Sequence, residues 1–292
     1  MALHLALAQT ASSIKGMLVP GVSIMSRCCD VALTGPVLAI LGSCASLFPL
    51  GNDKLSFVKE FFGMFFIVGF TCSPGKWFGT EAWWHSWLWH GVGIIGVDLL
   101  SGGGHVNPSM TYAFYAVGDV TYAELLCRVS AQVSGSVMAW TFWQAVGMEL
   151  QLEALAFPAF DFAKPAIEAC LNEALASFCL VFGIFLWHSI LPTRKHYWAK
   201  MPLTAVLIRL NIVLFPISGP AMNPALATGW AVWASGAFRG GHTLPVDTGH
   251  YISYWISSFV GALLAALLYS LYAGKPLLGR CLRHSTPEKK NE

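Results

Sequence analysis

Two asparagine–proline pairs are the residues whose type and spacing could do chemistry in this sequence. Asn107-Pro108-Ser109 follows Gly102-Gly103-Gly104-His105-Val106, and Asn223-Pro224-Ala225 follows Ser218-Gly219-Pro220-Ala221-Met222. Asparagine is a favoured helix N-cap, and proline a favoured first helical residue because it has no N–H to leave unsatisfied. Each motif therefore opens a short helix after a turn-rich approach. A helix N-terminus carries a charge of about +0.5. Two such ends meeting head to head would form one electropositive point with amide donors beside it. That arrangement can hydrogen-bond a passing neutral molecule and repel a cation. It makes and breaks no covalent bond.

The elements that must position these motifs repeat. Glu60-Phe-Phe-Gly63-Met-Phe65-Phe-Ile-Val68 and Glu173-Ala-Leu-Ala176-Ser-Phe178-Cys-Leu-Val181 place a small residue, a phenylalanine and a valine at the same offsets from a glutamate. Glu60 precedes Asn107 by 47 residues, and Glu173 precedes Asn223 by 50. Repeats of this kind build many transport folds. A bilayer core needs about 20 mainly apolar residues per helix, and six runs qualify, at about 55–75, 82–101, 122–147, 166–190, 200–217 and 249–273. The pieces at about 105–117 and 220–233 are too short to cross and are expected to be re-entrant, which requires protein or a water-filled cavity around them. Three spans and one re-entrant segment per half invert the second half relative to the first. The two Asn-Pro helices then point at each other.

Composition agrees with membrane residence. Of 292 residues, 55% are apolar and 11% charged, against about 25% charged in soluble domains. The net charge of +2 gives no basis for a nucleic-acid partner. Basic residues flank the first span (Lys54, Lys59), join the fourth to the fifth (Arg194, Lys195, Lys200) and follow the sixth. This distribution puts both ends of the main body in the cytosol. The eight cysteines show no C-x-x-C spacing, and His90, His105 and His188 show no ligand spacing, so neither a metal nor a cofactor is expected. No nucleophile–base pair is visible, and an enzyme is not expected.

The expected layout is an N-terminal extension over 1–54, a pore-forming body over 55–275 and a cytosolic basic tail over 276–292. An apolar segment at 31–50 within the extension is an extra span, a surface-lying segment or a processed signal.

At the Asn-Pro residues the chain resembles the aquaporin (major intrinsic protein) family, and within it the unorthodox small basic intrinsic proteins of plants. The resemblance rests on Gly219-Pro-Ala-Met-Asn-Pro-Ala-Leu-Ala227 with Gly229-Trp230, on Tyr254-Trp-Ile-Ser-Ser-Phe-Val-Gly-Ala262, on Asn107-Pro-Ser with Ala113-Phe-Tyr115, and on Arg128 with Ala131-Gln132. It implies an all-α membrane fold: a bundle of six transmembrane helices built from an inverted repeat, with two re-entrant half-helices. It also implies a homotetramer in lipid and a passive pore for water or small neutral solutes such as ammonia, peroxide or glycerol-like molecules. Glu60 and Glu173, which in a pump would suggest a proton relay, become supports for the re-entrant loops.

The resemblance further implies a second constriction. Counted from each Asn-Pro, it would comprise Trp87, Asn211, Pro220 and Leu226. Leucine stands at 226 where ordinary water channels carry an arginine, which predicts an apolar constriction and a weaker barrier to cations. With Asn211 lining the pore, Arg209 lies about 200° away around its helix. It is expected to face elsewhere, near the cytosolic end of its span, snorkelling or paired with a buried acid. Lys289 and Lys290, at −3 and −4 from the C-terminus, look like a dilysine retrieval signal and point to the endoplasmic reticulum rather than the plasma membrane. A non-conducting scaffold and a proton-coupled transporter are the alternative readings.

Overall fold

Each short helix is placed by its Asn-Pro turn and then handed across to the other half of the chain. The computed structural model describes residues 53–72, 83–149, 166–191, 196–219, 222–234 and 248–282. The segment at 31–50, Pro220, Lys289 and Lys290 lie outside the described residues. Within them the chain forms α1 (Asp53–Thr71), α2 (Trp83–Ser101), α3 (Pro108–Ala116), α4 (Tyr122–Glu149), α5 (Ala166–Ile190), α6 (Tyr197–Leu214), α7 (Pro224–Ala234) and α8 (Thr248–Ala273). The first turns of α8, Tyr251–Ile256, are wound as a π-helix. In the first half α1 packs on α2 and α4; in the second, α5 packs on α6 and α8. The short helices cross over, α3 lying against α8 and α7 against α4. That exchange locks the two halves into one inverted bundle.

Glycine permits the closest helix crossings, and it does so at matched places. A Cβ on Gly135 of α4 would lie 2.4 Å from the Phe61 carbonyl oxygen of α1, and one on Gly261 of α8 would lie 2.0 Å from that of Ala174 in α5. Small residues let helix backbones approach this closely in membranes. Outside the bundle, large apolar side chains such as Leu55, Phe62, Leu99, Leu175, Val213 and Leu264 face outward. Inside, α1 buries Glu60, Met64 and Val68, one turn apart.

The helix limits match the expected spans to within a few residues. Among the described residues, however, hydropathy and length alone qualify three helices to cross a membrane: Ile167–Ile190, Tyr197–Leu214 and Thr248–Ala273. The others carry their polarity inward or at their ends. In α1 these are Lys59 and Glu60, in α2 His90 and Asp98, in α4 Glu124, Arg128, Gln132 and Gln144. Gly274 takes a left-handed φ of 68° and ends α8. Residues 276–281, read from sequence as the start of a tail, instead fold back as a small antiparallel hairpin, β1 (Pro276–Leu277) with β2 (Arg280–Cys281). There the Leu278 N–H donates to the Ala116 carbonyl at 2.7 Å, covering the C-terminal end of α3.

Candidate functional site

The two Asn-Pro turns are near-copies of each other. Pro108 and Pro224 are the first residues of α3 and α7. The Asn107 side-chain oxygen accepts from the Ser109 N–H at 2.9 Å, and that of Asn223 from the Leu226 N–H at 3.3 Å. The residue before each asparagine has a left-handed backbone, Val106 with φ 51° and Met222 with φ 48°. That conformation is uncommon outside glycine and persists where surrounding bonds over-determine it. At each of these residues the N–H and the carbonyl, which belong to successive peptides, meet partners from different halves of the chain. The Val106 N–H donates to Glu60 Oε2 at 2.7 Å while its carbonyl accepts from Asn223 Nδ2 at 2.7 Å. The Met222 N–H donates to Glu173 Oε2 at 3.0 Å while its carbonyl accepts from Asn107 Nδ2 at 2.7 Å. The two half-helix starts are therefore bonded to each other, reciprocally, in the middle of the bundle.

The supporting glutamates differ in their partners. Both are fully buried. Glu60 also accepts from the His105 N–H (2.8 Å), Arg128 Nη1 (2.7 Å) and Gln132 Nε2 (2.8 Å). Arg128 is itself paired with Glu124 one turn away on α4. Glu173 accepts from the Ser218 hydroxyl at 2.8 Å and the Ser258 hydroxyl at 3.4 Å. Asn172 donates to Ser218 Oγ at 3.0 Å and to the Phe215 carbonyl at 2.7 Å. The Tyr254 hydroxyl, on the π-turn, donates to the Ser218 carbonyl at 2.9 Å. Among the described residues, Glu60 meets a guanidinium and amides, and the bonds to Glu173 include the Met222 N–H and two hydroxyls.

A cavity of about 1070 Å³ runs past this junction. Asn107, Asn223, Val106, Met222 and Leu226 line it, between apolar walls that include Ile67, Ile94, Leu180 and Ile208. Asp98, Gly102, Gly103, His188 and Lys200 line one end, and Thr71, Cys72 and His90 the other. Ser109 and Ala225 are completely buried beneath their asparagines and pack rather than face the cavity.

Two of the residues expected at the second constriction are elsewhere. Asn211 is 2% exposed and donates to the Ala176 carbonyl of α5 at 3.3 Å. The cavity face of α6 is instead Met201, Thr204, Ile208 and Ile212, together with Arg209. Trp87 does not line the cavity either; its ring lies beside the Arg209 guanidinium, and His90, three residues on, takes the cavity position. Counting from an Asn-Pro fixes height along a helix but not rotation, because one residue of slip turns a side chain by about 100°. Arg209 thus lines the cavity instead of facing away. It lies five residues before the end of α6 at Leu214, in the half remote from Lys200. No buried acid pairs with it among the described residues. Arg128, Gln132 and Ser218 hold the glutamates and were not singled out from sequence for that purpose. Arg128, a cation within an apolar span, was the available signal.

Residues 52–269 match the major intrinsic protein family. The chain belongs to that family. It is 32% identical to aquaporin SIP1-1 of Arabidopsis thaliana over 174 residues, covering 59% of this chain and 68% of that protein. It is 33% identical to aquaporin TIP4-3 of Zea mays over 171 residues, covering 57% and 61% respectively. The matched stretch spans 65% of aquaporin TIP4-4 of Zea mays, less than two thirds of that protein's length. In structure it is similar to the aquaglyceroporin from Plasmodium falciparum, with a TM-score of 0.63 at 16% identity, covering 74% of this chain and 95% of that one. The fold is therefore an aquaporin-like, all-α membrane bundle, and the protein is an integral membrane protein.

Proposed function

We propose that the chain is a passive transmembrane channel for water or small neutral solutes, and not an enzyme. One observation carries the reading: Asn107 and Asn223 cap two opposed half-helices, bond across to each other's loops, and line a single cavity. Each asparagine amide has two N–H groups, and the cross-bond uses one. The second can donate to a solute moving past. Positive helix ends on both sides raise the energy of a cation at the same point. The solute stays hydrogen-bonded while a hydronium chain is interrupted.

Leu226 contributes neither charge nor donor to this wall, so water flux is expected to be low and uncharged solutes such as ammonia or peroxide to compete with it. The family resemblance would add Pro220 to that constriction. Glu60 and Glu173 serve as loop supports, since backbone N–H groups already occupy both carboxylates; this disfavours a proton-coupled transporter, in which those groups would have to protonate and release. The family resemblance supports a homotetramer, and Lys289 and Lys290 support residence in the endoplasmic reticulum.

Stopped-flow light scattering on proteoliposomes tests the reading, comparing water, glycerol and peroxide for wild type and Leu226→Arg. Low wild-type water permeability that rises in the variant is expected. Fluxes equal to protein-free vesicles for all three solutes would favour the scaffold reading.

A further inference from the structure

Arg209 is a cation on the cavity wall that the reading above leaves unused. Its Nη2 donates to Ser86 Oγ at 3.2 Å, and its guanidinium carbon lies 5.8 Å from the centre of the Trp87 ring. Its Nε has no partner, and no carboxylate pairs with it, among the described residues. His90, one turn from Ser86 on α2, lines the same cavity, is 4% exposed, and has a buried Nδ1 without a hydrogen-bond partner among the described residues. These groups and Leu226 share one half of the cavity. Gly93, three residues beyond His90, abuts the Phe70 carbonyl near the end of α1, and Leu226 packs with Ile67 and Phe70 in one cluster. A charged side chain at membrane depth is unfavourable unless it faces a polar pathway, and such residues mark those pathways.

We infer that Arg209, with His90 beside it, supplies from α6 the charged and hydrogen-bonding part of the constriction that Leu226 lacks. This rests on the channel reading. The guanidinium is held in place by the Ser86 hydroxyl and the Trp87 ring. The part of the side chain that lines the cavity fits a small uncharged molecule with an oxygen lone pair. The guanidinium charge excludes monovalent cations, protons included.

The test uses full-length protein in liposomes carrying an entrapped pH dye, with proton leak and osmotically driven water and peroxide entry read on one preparation. Arg209→Gln is expected to raise proton leak at least about tenfold, a modest effect for one unit charge a few ångströms from the path in a partly dry medium. Solute entry is expected to change by less than the leak, because glutamine keeps an N–H donor but loses the charge. Arg209→Lys keeps the leak low, and Leu226→Arg placed in the Arg209→Gln background lowers it again. Arg209→Met, which keeps the aliphatic stem, is run in parallel in case the glutamine variant does not insert. Solute entry with unchanged proton leak in the neutral variants overturns this inference alone. Wild-type vesicles that admit no solute beyond protein-free ones overturn the channel reading and the inference with it.

Discussion

Replacing each supporting glutamate by glutamine separates two loops that the repeat makes look alike. In Glu60→Gln the amide oxygen can stay where Oε1 was, keeping the His105 N–H and Arg128. The new NH2 then sits where Oε2 was, facing the Val106 N–H and the Gln132 amide. Gln132 can rotate its amide to accept, but the backbone N–H cannot. An unsatisfied buried donor costs about 1–3 kcal/mol, and Arg128 loses a charge-assisted bond for a neutral one, about 1 kcal/mol more. The sum is about 3 kcal/mol.

In Glu173→Gln the amide oxygen can keep the Met222 N–H, and the NH2 faces the Ser218 hydroxyl, which can turn to accept. About 1 kcal/mol is expected there, in line with one altered hydrogen bond. A chain of this size shifts its midpoint by about 2–4 °C per kcal/mol. Thermal unfolding in detergent should therefore fall by about 6–12 °C for Glu60→Gln and about 2–4 °C for Glu173→Gln. Equal shifts, or a larger one at Glu173, would refute the argument that donor-only partners make the first loop the less forgiving.

Three further outcomes follow from local geometry. Gly261→Ala forces a Cβ to 2.0 Å from a backbone oxygen and should cost at least about 3 kcal/mol, whereas Gly96→Ala meets nothing within 4 Å and should be neutral or stabilise by up to about 1 kcal/mol; yield of monodisperse protein and the thermal midpoint distinguish them. Asn223→Ala removes the bond to the Val106 carbonyl and the α7 cap, about 2 kcal/mol together, and should lower the midpoint while raising proton leak through the widened junction. Asp119→Asn breaks the half-exposed pair with Lys275 beside the C-terminal hairpin and should change stability by less than about 1 kcal/mol, and by less still in high salt.

The inverted bundle was legible because each of its requirements leaves a mark in one dimension. Asn-Pro after a glycine-rich approach announces a capped half-helix, and Glu60 and Glu173 stand at nearly equal distances ahead of their motifs. The six long helices then begin and end close to where the apolar runs do. Much of the site is a matter of side chains meeting across the bundle. Val106 and Met222 look like ordinary apolar residues, and nothing in their type reveals a left-handed backbone that sends the N–H to a glutamate and the carbonyl to the opposite asparagine. Ser218 and Ser258 are likewise unremarkable until α5, α8 and the second loop converge on Glu173.

Asn211 and Arg209 show where counting along a helix stops being informative. They are two residues apart, so one faces the cavity and the other does not, and the sequence supports that exclusion through the helical period alone. Which of them faces inward depends on the anchor from which rotation is counted. The nearest anchor, Asn223, is separated from α6 by a non-helical segment whose path residue number does not give. In the structure the Asn211 amide donates to the Ala176 carbonyl of α5, on the side of α6 away from the cavity. With Asn211 on that side, Thr204, Ile208 and Ile212 line the cavity, and Arg209 with them. Had Asn211 faced inward, the wall would combine a neutral amide with Leu226 and hold no fixed charge. With Arg209 there instead, a leucine in the loop is compatible with a constriction that still repels cations.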